Sequence, residues 1–363
     1  MVFEPSAAPA HVDGPIPAGM ISGLIDVEDS VRPLSVFDMF RIGVGPSSSH
    51  TVGPMRAAQA FAQELYELDF RPQVVHAELF GSLGATGRGH STDRAVLLGL
   101  EGYMPDTVPG EVVTSISQRV ESTGVVSLLG GWCEARMEPI VMTPFTVLPY
   151  HVNALTLTAK RDGKEFSRTY YSVGGGFVME DLSDDPQRPN VRALATPQAA
   201  ELHATAAPCP FTTASALLQT CAREGLAISD VVRANEEAAR SREDVDAYLD
   251  LIAKTMEECV EAGCNTDGVL PGSLRVKRRA SNLFKSLGGR SSGPAQGDKW
   301  ACSEDDPLRA MDWVNLYALA VNEENAAGHR VVTAPTNGAA GVIPAVLGYL
   351  WHFTPEGEAN RLE

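Results

Sequence analysis

The chain changes its hydropathy period once, near its middle, and this change limits the folds that it can adopt. In the first part, apolar and polar residues alternate over 151–159 and again over 164–173, and an Asp162-Gly163 pair lies between the two runs. Alternation of this kind is typical of half-buried strands, and Asp-Gly is a common hairpin turn. The first part is therefore predicted to contain a β-hairpin, mixed with helices such as the one that begins near Pro54.

The second part follows a helical period instead. Apolar residues recur every three or four positions at Val245, Leu249, Ile252, Met256 and Val260, and a similar spacing includes Leu308, Met311 and Val314. Between the two parts, residues 180–197 are acidic, contain proline and show no period, as expected for a linker.

These patterns predict an α+β N-terminal domain followed by an all-α C-terminal domain. The expected boundaries are a disordered extension over 1–33, the α+β domain over 34–180, a linker over 181–196 and the helical domain over 197–363. A chain of 363 residues with 44% hydrophobic content is long enough for two cores.

Charge and cysteine usage exclude several classes of protein. A formal net charge of −17 argues against nucleic acid or an anionic membrane surface as a partner, because both attract clustered positive charge. No apolar run reaches the length needed to span a bilayer, and the N-terminus lacks the features of a signal peptide. The six cysteines are scattered, which favours reduced thiols and a cytoplasmic location.

A serine-rich turn is the first candidate site. Ser47, Ser48, Ser49 and His50 directly precede the helix predicted from Pro54. Unpaired backbone N–H groups and the helix dipole favour an anion there, so this turn is predicted to bind a substrate carboxylate. The alternative is a polar turn whose serine only caps the helix.

The second candidate is the glycine-rich loop predicted over 81–89, between a strand at 74–80 and a helix capped by Ser91 or Thr92. The loop places His90 at the helix entry, beside Thr92 and Asp93. An imidazole titrates near neutral pH and therefore suits a general base. The glycine spacing matches neither common phosphate-binding pattern, and a lone histidine in a loop is often structural.

The third candidate is the segment 334–341, which places Thr336 and Asn337 at a predicted helix start. The side chain of Asn337 is able to bind either a carboxylate or an amino group, and an Asn-Gly turn with a cap is an equally good interpretation. His329, just upstream, is predicted not to be a ligand.

Five stretches together resemble the bacterial iron–sulfur-dependent L-serine dehydratases (L-serine ammonia-lyases) of the single-chain type. In chain order they are SVFDMFRIGVGPSSSHTVGPMRAAQA, GSLGATGRGHSTD, YYSVGGGF, GVLPGSLRVKRRA and DWVNLYALAVNEENAAGHRVVTAPTNGAAGVIPAVL. They follow the family's order and span most of the chain from about residue 34 onward. Arg88 stands where the family usually has lysine, which keeps the positive charge.

The resemblance implies conversion of L-serine to pyruvate and ammonia by β-elimination of water. It implies that 34–180 corresponds to the family's beta-type domain and 197–363 to its alpha-type domain. It also implies that His90 is the base and that the complete protein is a homodimer. The substrate-binding residues would be Ser47, Ser48, Ser49, His50, Thr92, Asp93, Thr336 and Asn337.

The family's cofactor is a 4Fe-4S cluster held by three cysteines, with one iron open to act as a Lewis acid on the substrate. Its ligand cysteines lie in GCQ, CDP and PC segments downstream of the PTNG motif, so we expect them beyond residue 363 and predict no metal ligand within this chain. Two hypotheses follow: a lyase that is inactive until the cluster-bearing segment is supplied, or a remnant that binds serine or a similar small carboxylate without turnover. In either case, the last helix should expose Val342, Val346 and Leu350.

Overall fold

The computed structural model describes residues 34–183, 188–194, 207–272, 274–288, 309–334, 336–355 and 357. The extension predicted over 1–33 lies outside these residues, as do Leu308 and Cys302. Within them, a region built on a mixed sheet precedes a mostly helical region, and this confirms the predicted fold class.

The first region contains helices and strands in mixed order. Its helices are α1 (Val36–Met39), α2 (Gly53–Glu67), α3 (Gly81–Thr86), α4 (Thr92–Leu100) and α5 (Gly110–Thr123), with a π-helical turn at Ser48–Val52. Its strands are β1 (Arg41–Val44), β2 (Val74–Phe80), β3 (Val125–Leu128), β4 (Cys133–Met137), β5 (Val141–Thr143), β6 (Asn153–Arg161), β7 (Lys164–Gly174), β8 (Phe177–Asp181) and β9 (Val191–Ala193).

Eight of these strands form one sheet in the order β3-β4-β2-β6-β7-β8-β9, with β5 paired to β2. β6 and β7 form the predicted antiparallel hairpin, and its turn residue Asp162 has a φ of 49°. The helices α2 and α4 pack against each other, and α2 also contacts β7 and β8. The core between sheet and helices contains large, fully buried side chains, among them Met55, Phe61, Leu65, Leu79, Leu98, Leu100 and Ile116.

Two segments differ from the sequence prediction. The glycine-rich segment predicted as a loop over 81–89 begins with the short helix α3 (Gly81–Thr86) and continues in turns up to the start of α4. Val191–Ala193, inside the predicted linker, forms strand β9 on the edge of the sheet, paired with β8. Both depend on neighbours: α3 lies against β5 and β6, and β9 completes the hydrogen bonds of β8.

The second region contains α6 (Ala214–Glu224), α7 (Ile228–Glu237), α8 (Arg242–Asn265), α9 (Ala280–Ser286), α10 (Arg309–Ala327) and α11 (Val342–Phe353). The prediction of an all-helical region misses one strand, β10 (Arg330–Thr333). Four residues are too few to show a clear period in the sequence, which explains the omission. Helices α8, α9, α10 and α11 surround a second core that includes Phe284, Trp313, Leu316 and Tyr317.

β10 pairs with β1 in an antiparallel two-stranded sheet, in which Arg41 lies opposite Thr333 and Val44 opposite Arg330. Val332 of β10 packs with Ile252 and Met256 of α8 in a third apolar cluster, and Ile42 of β1 packs against it. The start of the first region is therefore held directly against β10 and α8.

Residues 34–203 and 240–363 belong to one compact unit, and residues 204–239 belong to another. In the latter, α6 and α7 contact each other, and the Asn235 side chain bonds both the N–H and the carbonyl of Cys209 at 2.9 Å. The division at the proposed linker stays a prediction.

Most of the predicted helix faces are buried, with exceptions. On α8, four of the five predicted apolar residues are buried, whereas Leu249 is 38% exposed. On α10, Met311 is 63% exposed, and the buried face is formed by Trp313, Leu316 and Tyr317. The expected exposure of α11 is confirmed, because Val342, Val346 and Leu350 are 57%, 59% and 42% exposed. Among the described helices, none combines the length and the apolar character needed to cross a bilayer.

Gly45, which follows β1, permits a close approach that we expect any side chain to prevent. A Cβ placed there would lie 1.9 Å from the backbone oxygen and 2.6 Å from Oδ1 of Asn325. Gly45→Ala should therefore lower the free energy of unfolding by about 2 kcal/mol or more, measured by denaturant titration. Gly110→Ala is the matched control, because a Cβ there meets nothing within 4 Å. Equal stabilities of the two variants would contradict the close packing of Asn325 on Gly45.

Candidate active site

The serine-rich turn is ordered by its own hydroxyl groups. Ser47 accepts a hydrogen bond from the N–H of His50 at 3.2 Å, and its own N–H donates to Oγ1 of Thr51 at 3.3 Å. These bonds hold 48–52 as a π-helical turn that leads directly into α2, with Pro54 in the first turn of that helix. The capping alternative is thus present in the structure, and it places His50 at a defined position above the start of α2.

Both nitrogens of the His50 ring have hydroxyl partners. Nδ1 lies 2.9 Å from Oγ of Ser49, and Nε2 lies 3.0 Å from Oγ of Ser82. Burial lowers the pKa of His50, the nearby His90 lowers it further, and a hydrogen bond involving Ser82 partly opposes both effects. The ring is therefore predominantly neutral near pH 7, when one nitrogen is a donor and the other an acceptor.

The ring of His90 is held by the preceding turn. Its Nδ1 lies 3.1 Å from the carbonyl oxygen of Thr86, which can only accept, so the proton is on Nδ1. In the neutral ring, Nε2 then carries a lone pair, and within the described residues it has no hydrogen-bond partner. Ser91 follows in the left-handed conformation at φ 54°, which turns the chain sharply into α4.

The two histidine segments are bound to each other through their backbones. Thr51 donates to the carbonyl of His90 at 2.9 Å, and the buried Thr92 donates to the carbonyl of His50 at 2.6 Å. The centroids of the two imidazole rings lie 4.8 Å apart, with an angle of 41° between the ring planes. The structure therefore brings together two of the three segments that the sequence singled out.

The third segment joins the same loop by its amide side chain. Nδ2 of the buried Asn337 donates to the carbonyl of Val44 at 3.3 Å and to Oδ1 of Asn325 at 3.0 Å. Asn325 in turn donates to the carbonyl of Pro46 at 3.1 Å. Asn337 is thus hydrogen-bonded, directly and through Asn325, to the residues that immediately precede Ser47.

Other predicted residues occupy less central positions. Ser48 is buried in the π-helical turn, and Thr336 is exposed ahead of the 3₁₀ turn at Asn337–Ala339. Asp93 is half-buried, and its carboxylate accepts the N–H of Arg94 at 2.9 Å. Sequence reasoning missed Thr51, Ser82 and Asn325. Each lies within a stretch that carried the family resemblance, yet their partners are distant in sequence and no local pattern indicates them.

A buried ion pair lies beside this region. Arg278 and Glu324 pair at 2.5 Å with both side chains almost fully buried, and Nδ1 of His329 lies 2.6 Å from the other oxygen of Glu324. Burial raises the pKa of Glu324, but the bonds from His329 and Arg278 outweigh it, so the pKa is lowered overall. A cavity of about 400 Å³ is lined by residues that include Val44, Glu324 and His329.

The described cysteines do not fit a 4Fe-4S cluster. Cys133 lies in β4, and Cys209 and Cys221 lie in or near the helical pair of residues 204–239. Cys259 and Cys264 share helix α8, and burial raises the pKa of the Cys259 thiol to about 12, which opposes the thiolate form that a cluster requires. In the described part of the chain, no three His, Cys, Asp or Glu side chains are grouped to hold a metal ion.

The proximity of the two imidazoles predicts that His90 affects the pKa of His50. His50 should titrate below 6.5, and His90→Ala should raise its pKa, because the repulsion by a protonated His90 is removed. Both values can be measured by NMR titration of the ring carbons. His76→Ala is the control, because His76 lies on β2 and its Nδ1 is 3.4 Å from Oε2 of Glu138. An unchanged His50 pKa in His90→Ala would contradict the coupling.

The same shift predicts how stability depends on pH. The unfolded chain binds a proton at His50 near pH 6.5, whereas the folded chain does so only at lower pH. His50 therefore contributes a loss of stability as the pH falls below about 6.5, and this loss should be smaller in His90→Ala. Denaturant titrations at pH 5 to 7.5 would measure the difference.

A structural role for Cys259 gives a further prediction. Cys259→Ser should lower the free energy of unfolding by about 1–3 kcal/mol, because it buries a hydroxyl among apolar groups. It should leave the iron and acid-labile sulfide content of the purified protein unchanged. Cys221→Ser, at a partly exposed position of α6, is the control. Loss of iron from the Cys259 variant would show that this thiol is a ligand.

Comparison with known proteins agrees with this arrangement of two regions. The family model described as serine dehydratase beta chain matches residues 35–183, and the model described as serine dehydratase alpha chain matches residues 223–361. Both therefore match within one polypeptide, in the order that the sequence predicts.

Curated relatives match across both regions. The chain is 40% identical to an L-serine dehydratase of Haemophilus influenzae, over 89% of this chain and 68% of the relative. It is 46% identical to an L-serine dehydratase of Streptomyces coelicolor, over 90% of this chain and 68% of the relative. L-serine dehydratase 1 of Escherichia coli is 41% identical over 88% of this chain and 66% of its own length. The chain thus spans about two thirds of these relatives, and it belongs to the serine dehydratase family as a single polypeptide that combines the beta-chain and alpha-chain regions.

Proposed function

We propose that this protein acts as an L-serine dehydratase, a lyase that converts L-serine to pyruvate and ammonia. The names of the relatives support the substrate. One observation on the structure carries the chemistry: Nδ1 of the His90 ring is held by the carbonyl of Thr86, and its Nε2 has no partner among the described residues. A ring fixed in this way is a suitable general base, because its lone pair has a constant direction.

His90 is proposed as the base that removes the α-proton of serine. The neighbouring His50 is kept neutral by burial, so it does not repel the imidazolium that forms on His90. With one ring nitrogen as a donor, His50 and the hydroxyl groups of Ser49 and Ser82 form a polar surface beside the base. These groups are able to orient the polar atoms of the substrate.

The substrate carboxylate is proposed to lie near the starts of α2 and α4, where Ser47, Ser48 and Ser49 meet His50, Thr92 and Asp93. Helix N-termini favour anions, and two of them meet here through the bonds of Thr51 and Thr92. Thr336 and Asn337 are proposed to contact the substrate from the side of β10.

The proposed reaction balances as a loss of water. The α C–H bond breaks with transfer of the proton to Nε2 of His90, its electron pair forms the double bond, and the β C–O bond breaks. The departing hydroxide and the proton together make one water. The resulting enamine becomes an imine, and hydrolysis of the imine gives pyruvate and ammonia.

The relatives do not favour the alternative of a serine-binding remnant without turnover. The 4Fe-4S cluster, the cytoplasmic location and the homodimer stay proposals that rest on the family resemblance. Because the described cysteines do not fit a cluster, none of them is proposed as a ligand.

Removal of the proposed base should affect turnover far more than binding. We expect His90→Ala to lower kcat by about 10²–10⁴-fold, the usual contribution of a general base, with a much smaller change in KM. Pyruvate formation from L-serine, assayed with the cluster-bearing segment supplied, measures both constants. His76→Ala is the control, because His76 lies on β2 beside Glu138.

The iron and sulfide content of the His90→Ala variant should equal that of the wild-type protein. A kcat within threefold of the unchanged protein would refute the role of His90 as base. A loss of activity that accompanies a loss of iron would instead point to a structural role.

A further inference from the structure

Asn337 ends a chain of hydrogen bonds whose direction is set by two backbone carbonyls. The carbonyl of Pro46 can only accept, so Asn325 must turn its Nδ2 toward it, at 3.1 Å. The Oδ1 of Asn325 consequently faces Asn337 and accepts from its Nδ2 at 3.0 Å. The carbonyl of Val44 accepts the second N–H of that same Nδ2, at 3.3 Å.

The amide of Asn337 therefore has one unused group, and it is an acceptor. Both of its N–H bonds are occupied, and rotating the amide would place its oxygen against the carbonyl of Val44 and against Oδ1 of Asn325. The remaining Oδ1 is buried and has no partner within the described residues. Asn337 itself is only 1% exposed. A buried carbonyl without a donor is unfavourable, so this oxygen indicates a missing donor.

We infer that Oδ1 of Asn337 receives the ammonium group of the substrate, and this inference rests on the proposed function. The sequence alone allows the side chain of Asn337 to bind either a carboxylate or an amino group. The structure distinguishes them, because a carboxylate only accepts hydrogen bonds and would be repelled by this oxygen, whereas an ammonium group only donates. Asn337 then selects α-amino acids over carboxylic acids that lack the amino group.

The position of the amide agrees with this role. Val44 and Pro46 directly precede Ser47, which caps the turn that holds His50. Gly45 lacks the Cβ that would collide with Asn325, so the two amides are able to lie against this loop. Asn325 is thus a positioning residue, and the loop that carries the candidate active site is the same one to which Asn337 is bound.

A pair of unreactive ligands tests the inference. L-Alanine and propanoate share a carboxylate and a methyl group, differ by the ammonium group, and cannot lose water. In the full chain, L-alanine should bind more tightly than propanoate, and we call the ratio of the two affinities the margin. Asn337 should contribute a factor of about 10 to 100 to this margin, the usual effect of a hydrogen bond to a charged group. Asn337→Ala should remove this margin and leave the affinity for propanoate within about twofold, as measured by NMR or calorimetric titration.

Two results would overturn the inference. A parallel loss of affinity for both ligands in Asn337→Ala would show that the amide serves the carboxylate. An unchanged margin would show that a water molecule or another group satisfies Oδ1. Asn265→Ala is the matched control, because this exposed amide only bonds the carbonyl of Glu261 at the end of α8. It should leave both affinities unchanged.

The test does not depend on one variant. If circular dichroism shows that Asn337→Ala is unfolded, Asn337→Ser retains a hydroxyl that is able to donate to Val44 and is judged by the same margin. In the unchanged protein, the side-chain carbonyl carbon of Asn337 should shift with L-alanine and not with propanoate, and equal shifts would reject the inference. Because neither ligand reacts, the result is separate from pyruvate formation, which tests the proposed function.

Discussion

The pairing of β1 with β10 is the interaction on which the candidate active site depends. Residues 41–44 pair with residues 330–333 in antiparallel register. The hydroxyl of Thr333 also donates a hydrogen bond to the carbonyl of Arg41. The N–H of Gly45 continues the pairing by donating to the carbonyl of His329 at 3.0 Å. A contact between segments so distant in sequence carries a large entropic cost, which the apolar cluster of Ile252, Met256 and Val332 helps to offset.

The position of the candidate catalytic residues follows from that pairing on one side and from the eight-stranded sheet on the other. The turn at Ser47 follows β1, and His90 follows β2 and α3 along the chain. The bonds of Thr51 and Thr92 to opposite carbonyls then lock the two turns together. Because these bonds involve backbone atoms, they hold the imidazoles close without occupying Nε2 of His90. Rigid support of this kind is what a general base requires.

Burial affects the polar groups of this region in different ways. His50 responds by losing affinity for protons, and Glu324 keeps its charge because Arg278 and His329 bind both of its oxygens. A buried ion pair contributes little net stability, since desolvation offsets much of the attraction, yet removal of one partner is costly. The Arg278–Glu324 pair links the residue that lies two positions before α9 to α10, and loss of either partner should be destabilising. Glu323 has a related effect, because its carboxylate accepts the N–H groups of Arg279 and Ala280.

Local patterns along the chain were sufficient to predict the change from a mixed sheet to helices, the hairpin of β6 and β7, and the three segments that carry the candidate residues. Hydropathy periods, turn residues and helix-capping residues each depend on about a dozen neighbouring residues, so they can be recognised without a structure. Packing between distant segments was needed to establish that 330–333 is a strand, that the glycine-rich segment begins as a helix, and that Met311 faces away from the core. The same packing determines which atom of Asn337 is available, since its amide is oriented by the carbonyl of Val44, 293 residues away in sequence, and through Asn325 by the carbonyl of Pro46. No local pattern specifies such partners, because they meet only when the two regions come together.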